Sequence, residues 1–143
     1  MSVKAVRHIG IVVSDMETSL SFYRDLLGME VWWDETAEEP DIEPVTGIKG
    51  AKIHMVKLMA SDGVSIELLQ YLNHPKPVPP LSNANDIGCN HVALQVDDLD
   101  GLYERAKAQG IRFNAKPKGE KTKMTYCRDP EGAYVELVEI PSS

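Results

Sequence analysis

Apolar residues recur at every second position over residues 5–13, where Ile9, Ile11 and Val13 alternate with His8, Gly10 and Val12. This period predicts a strand over Ala5–Val13, because successive side chains of a strand point to opposite faces. At Ser14-Asp15 the period changes. Met16, Leu20, Tyr23 and Leu27 follow at helical spacing, with Ser14 or Asp15 as N-cap and Gly28 as C-cap. Strands are expected at Glu30–Trp33, Lys52–Met59 and Val64–Tyr71, the last two joined by a turn at Ser61-Asp62-Gly63. Residues 34–50 are acidic and carry Pro40, Pro44, Gly47 and Gly50, which predicts a loop. The segment from His74 to Pro80 is proline-rich and reads as an extended connector.

The same order then returns. A strand is expected at Cys89–Val96 and a helix at Asp98–Gln109, with Leu99, Leu102, Tyr103 and Ala106 on its apolar face and Gly110 at its end. Strands follow at Ile111–Asn114, Thr122–Arg128 and Ala133–Ile140, the last two around Asp129-Pro130-Glu131-Gly132. His8 aligns with His91 and Asp15 with Asp98, both 83 residues apart, and Glu67 aligns with Glu136, 69 residues apart. The first half is longer by the difference, and the surplus falls in the 34–50 loop. The chain therefore reads as an α+β fold of two tandem βαβββ modules. Module 1 covers about residues 1–73, a linker 74–87 and module 2 about 88–141, within one domain of 143 residues. Each module has an apolar sheet face that needs cover, so two curved mixed sheets around one metal-containing cleft are expected.

Composition narrows the function classes. The chain is 43% hydrophobic and 26% charged, as in globular proteins. A net charge of −7 without a basic run argues against nucleic acid as a partner. No apolar run approaches a membrane span, and the N-terminal residues lack the apolar stretch of a signal peptide. Two cysteines, Cys89 and Cys127, form no disulfide framework, so a reduced cytoplasmic setting is expected.

The candidate chemistry lies in the repeat. Each half opens on a strand carrying a histidine and closes on a strand carrying a glutamate. His8, Glu67, His91 and Glu136 form a ligand set for one divalent ion, since imidazole and carboxylate suit Zn, Ni, Co, Fe and Mn. The competing reading of a glutamate inside an apolar strand is an ion pair with Arg or Lys, because an unpaired buried carboxylate is costly. His54, in the strand Lys52–Met59, is an additional acid–base candidate, expected along the cleft floor. Trp32 and Trp33 are neighbours, so one is expected to face inward and the other outward.

The segments HIGIVVSDMETSLSFYRDLLGM (8–29), IELL (66–69), NHVALQVDDLD (90–100) and DPEGAYVELVEI (129–140) resemble the vicinal oxygen chelate superfamily. That superfamily includes glyoxalase I, methylmalonyl-CoA epimerase, extradiol dioxygenases and fosfomycin and bleomycin resistance proteins. The full His, Glu, His, Glu set is similar to that of glyoxalase I and close to that of the epimerases. The resemblance implies a metal-stabilised enolate or enediolate formed by proton abstraction next to a carbonyl, with Glu136 as base and Glu67 as its partner. It implies a small-molecule substrate with vicinal oxygens and a homodimer. Tyr71 replaces the asparagine that contacts glutathione in bacterial glyoxalase I, and the segment RDPEGAYVEL differs from that of the CoA epimerases, which argues against both cosubstrates. An iron-dependent dioxygenase and a non-catalytic binding or resistance protein stand as alternatives.

Overall fold

The computed structural model describes residues 2–38, 40 and 42–142. The chain divides between Val78 and Pro79 into two compact units. The first holds β1 (His8–Val12), α1 (Met16–Leu20), β2 (Glu30–Ala37), a short α2 (Glu43–Thr46), β3 (Ile53–Met59) and β4 (Ser65–Tyr71). Its four-stranded sheet runs in the order β1-β4-β3-β2, with β1 and β4 parallel and the other pairs antiparallel. The second holds β5 (His91–Gln95), α3 (Leu99–Ala108), β6 (Lys123–Arg128) and β7 (Tyr134–Glu139). Its sheet has the order β5-β7-β6, again with first and last strands parallel.

Alternation along the strands separates a core face from a site face in each sheet. Val56, Leu58, Ile66 and Leu68 share one face of the first sheet and are at most 1% exposed, together with buried Met16, Leu20, Phe22 and Tyr23. In the second unit Val135 and Leu137 are buried with Leu99, Leu102 and Ala106. The opposite faces carry His8 and Glu67, and His91 and Glu136.

The repeat extends to the helix starts. Asp15 accepts the backbone N–H of Thr18 at 2.8 Å, and Asp98 that of Gly101 at 2.9 Å. Each is an N-cap satisfying a donor that the first helical turn leaves unpaired. The next N–H is taken by a side chain of the last strand: Met16 donates to Gln70 at 3.0 Å and Leu99 to Glu139 at 2.8 Å. Gln70 and Glu139 are 69 residues apart, the same offset as the glutamates. Both helices end on glycines with positive φ, Gly28 at 74° and Gly110 at 86°.

Four expectations needed correction. The first helix is α-helical only to Leu20. Residues Ser21–Leu26 widen to a π-helix, with Leu27 N–H bonding Phe22 C=O, and the consecutive Phe22 and Tyr23 are both buried in edge-to-face contact. The strand expected at Glu30–Trp33 continues to Ala37, because Asp34–Ala37 pair with Ile53–Val56 as the sheet's outer strand, where acidic side chains are tolerated. The rest of the 34–50 loop contains α2, while Glu39 and Asp41 lie outside the described residues. The strand expected at Ile111–Asn114 is reduced to a bridge between Phe113 and Cys127. Two ladder hydrogen bonds form there, and the Thr125 hydroxyl then donates to Ala115 C=O at 2.6 Å, drawing the chain across the strand end.

Candidate metal centre

Parallel pairing brings the two ends of each half together. β1 lies against β4 with His8 opposite Ser65 and Gly10 opposite Glu67, so His8 and Glu67 are diagonal neighbours on one face. His8 Nε2 lies 3.7 Å from Glu67 Oε2. The second half repeats this, with His91 opposite Tyr134 and Ala93 opposite Glu136, and His91 Nε2 is 3.1 Å from Glu136 Oε2. The four residues expected to share one ion are thus found as two His–Glu pairs, one in each half. Among the described residues, no group of three or more His, Cys, Asp or Glu side chains is placed to hold a metal ion. What each half presents is a single histidine–glutamate pair.

Those pairs fit a divalent ion in one respect. Two ligands each about 2.1 Å from a common ion stand roughly 3.0–3.4 Å apart in octahedral or tetrahedral coordination, a range that includes the 3.1 Å of His91–Glu136 and falls short of the 3.7 Å of His8–Glu67. They fit less well in another. His8 Nδ1 is buried and lacks a hydrogen-bond partner, whereas the non-ligating nitrogen of a ligand histidine ordinarily donates to an acceptor.

The antiparallel neighbours of the glutamates distinguish the halves. Lys57 on β3 lies directly across from Glu67, and Tyr126 on β6 directly across from Glu136. Lys57 Nζ is 3.5 Å from Glu67 Oε2, and the two side chains are 14% and 10% exposed. Glu67 therefore has both an imidazole and an ammonium beside it, so the ion-pair reading of this glutamate also has a partner in place. Tyr126 Oη is 3.3 Å from His91 Nε2, and the two ring centroids are 4.9 Å apart with the planes tilted by 49°. His91 Nε2 thus sits between a phenol and a carboxylate, free to donate to Glu136 or accept from Tyr126.

Lys57 was not singled out from sequence, although the signal was present. A hairpin turning at Ser61-Asp62-Gly63 sets Met59 opposite Ser65 and hence Lys57 opposite Glu67. The tryptophans do differ in exposure, Trp32 being 49% exposed and Trp33 half-buried, yet they share one neighbour. A bulge between Val31 and Trp33 adds a residue to β2, and both indoles reach Lys57, with its Nζ 4.4 Å from the Trp33 ring centroid and 5.5 Å from that of Trp32. Trp32 also donates from Nε1 to Ser65 Oγ at 3.0 Å.

His54 is placed differently from its expected position on the cleft floor. Its ladder partners are Thr36 and Gln70, and alternation puts it on the core face of the sheet, opposite Lys57 and Glu67. Its Nε2 is bound by Asp34 Oδ1 at 2.7 Å, so it does not join the His8–Glu67 pair. Cys127 is fully buried, and burial pushes its thiol up to about 12.

Two repeated units, one with four strands and one with three strands and a bridge, each set a histidine beside a glutamate across a parallel strand pair, the arrangement of a vicinal oxygen chelate fold. Residues 5–137 match the model of the Glyoxalase/Bleomycin resistance protein/Dioxygenase superfamily, and the chain belongs to that superfamily. It is 28% identical over 141 residues to a lactoylglutathione lyase of Haemophilus influenzae, covering 96% of this chain and 94% of that one. It is 28% identical over 142 residues to an ethylmalonyl-CoA/methylmalonyl-CoA epimerase of Cereibacter sphaeroides, covering 94% and 97%. The fold is shared with a glyoxalase family protein of Bacillus cereus at a TM-score of 0.89 and 22% identity, covering 97% and 95% of the two chains. No helix among the described residues is long and apolar enough to cross a membrane.

Proposed function

We propose that the chain is a divalent-metal-dependent enzyme that removes a proton from a carbon next to a carbonyl, as an isomerase or epimerase or as a glyoxalase I-like lyase. The observation that carries this reading is the recurrence of a histidine–glutamate pair in both halves, 3.7 Å apart in the first and 3.1 Å in the second. Similarity to a lyase and an epimerase of nearly the same length supports it. His8, Glu67, His91 and Glu136 would hold one ion (Zn, Ni, Co, Mn or Fe), the two halves acting as one domain. When bound, the ion supplies Lewis-acid polarisation of a substrate carbonyl.

The remaining work falls to the chain's own groups. Glu136 takes the proton at a carboxylate oxygen, and Glu67 is the second carboxylate able to return one, as epimerisation requires. His91, in contact with both Glu136 and Tyr126, orients the base. The substrate is a small molecule with vicinal oxygens. The reading includes a homodimer in the cytoplasm. Both cysteines are free thiols, which suits a reducing compartment.

Two measurements test the reading. Protein purified without chelator should retain about one divalent ion per chain by elemental analysis. In deuterated water it should exchange a C–H of an α-hydroxy ketone, a hemithioacetal or an acyl-CoA, and Glu136→Gln should slow this by about a hundredfold or more. Oxygen consumption with ferrous iron, in place of exchange, would overturn it.

A further inference from the structure

We infer that the pocket beside Glu67 is a subsite for an anionic group of the substrate, a carboxylate or a phosphate, with Lys57 and Arg7 as its cationic walls. The inference rests on the proposed function for identifying its occupant as part of the substrate. The anion site itself stands on the geometry of the first unit.

The pocket has a volume of about 370 Å³ and is lined in part by Arg7, His8, Trp32, Lys57, Met59 and Ser65. Two cations in one pocket run against a chain whose net charge is −7. An ammonium carries three donors and holds its hydration strongly. Lys57 is 14% exposed, yet among the described residues its ion-pair partner is Glu67 at 3.5 Å, well beyond the 2.7–2.9 Å of a charge-assisted bond. Its other described contacts are the two indole faces, which hold a cation in place without occupying its donors. The group is therefore positioned and still short of acceptors. Arg7 is exposed, with no ion pair among the described residues. Buried Ser65 already accepts from Trp32, which leaves its hydroxyl proton as a further donor.

Glu67 and the anion compete for Lys57. Engaging the Glu67 carboxylate elsewhere frees the ammonium for the ligand, so occupation of His8–Glu67 by a cation favours anion binding. The second half has neutral Tyr126 at the matching ladder position, so this preference belongs to the first half alone. A purely structural role, in which Lys57 does no more than neutralise Glu67, makes the opposite predictions.

The test uses metal-free full-length protein at fixed ionic strength. Inorganic phosphate and malonate are titrated separately, with chloride as control, and the readout is the fluorescence of Trp32 and Trp33, the chain's two tryptophans. A saturable change at roughly millimolar concentration is expected. The midpoint should rise about tenfold or more in Lys57→Met and in Arg7→Gln, as one charge-assisted contact is lost, and Lys57→Arg should recover most of the binding. Glu67→Gln, lacking the competitor, should bind more tightly. The stronger of the two ligands identifies the anion as phosphate or carboxylate. A response no different from chloride, or one unchanged in both Lys57→Met and Arg7→Gln, overturns the inference. Arg7→Gln, at an exposed position, keeps the test decisive if Lys57→Met does not fold. Because metal is absent throughout, failure of this titration leaves the metal-dependent function standing, and failure to retain metal leaves the titration valid.

Discussion

Lys57 and Tyr126 occupy the same position in the two repeated sheets, each directly across an antiparallel ladder from the glutamate of its half. One is a cation and the other a neutral phenol, and this difference breaks the equivalence of two otherwise matching His–Glu pairs. A positive charge 3.5 Å from Glu67 opposes the approach of a divalent ion to that carboxylate. Lys57→Met is expected to tighten divalent metal binding about tenfold, and Tyr126→Lys to weaken it by a similar factor. Isothermal titration calorimetry with Zn or Mn measures both, and equal affinities in the wild type and Lys57→Met would refute the argument.

The cap at Asp15 carries a pH dependence whose sign is fixed. The hydrogen bond from the Thr18 backbone N–H holds its carboxyl below the ordinary 3.8. A depressed folded-state value means the stabilisation is present above the unfolded value and is lost as pH falls through the folded one. Thermal melts from pH 5 to pH 2.5 should therefore show a steeper loss for wild type than for Asp15→Asn, whose amide oxygen caps without titrating.

Leu68 lies on the core face of β4 and is fully buried. Leu68→Ala should cost about 2–5 kcal/mol, from lost transfer energy and the cavity left behind. Urea denaturation gives the value as a shift in midpoint at constant slope. A loss under about 1 kcal/mol would show that the site collapses far better than cores usually do.

Burial pushes the Cys127 thiol up to about 12. The thiolate is the reactive form, and at neutral pH almost none is present. Alkylation of native protein followed by peptide mass spectrometry should label half-buried Cys89 well ahead of Cys127. Denaturation should remove the difference.

The sequence was most legible where a single physical rule decides the outcome. Apolar patterning between turn residues located β1, β3, β4, β5, β6 and β7 to within a few residues; the first cap was narrowed to Ser14 or Asp15, of which Asp15 takes the donor, whereas Asp98, expected as the first residue of its helix, is its cap. The offsets of the repeat singled out His8, Glu67, His91 and Glu136 as equivalent positions, and parallel pairing of the end strands sets each histidine beside the glutamate of its half. The rest depended on tertiary competition. A bulge inverts the alternation that strand parity predicts, so the joint approach of Trp32 and Trp33 to Lys57 was not readable from their adjacency. The short bridge at Phe113 was missed because the apolar pattern of Ile111–Asn114 does not reveal that Thr125 captures Ala115. His54 shows the reverse limit: parity with Lys57 and Glu67 was available in the sequence and already placed it on the other face.

The parallel closure of β1 on β4, and of β5 on β7, joins the first strand of each half to its last. A ribosome that has just added Tyr71 has therefore already supplied every strand of the first sheet, before any of β5 exists. A gene fragment encoding either half carries all the partners its own ladder needs. Copying such a fragment end to end therefore duplicates a sheet whose strands all find their ladder partners within the copy.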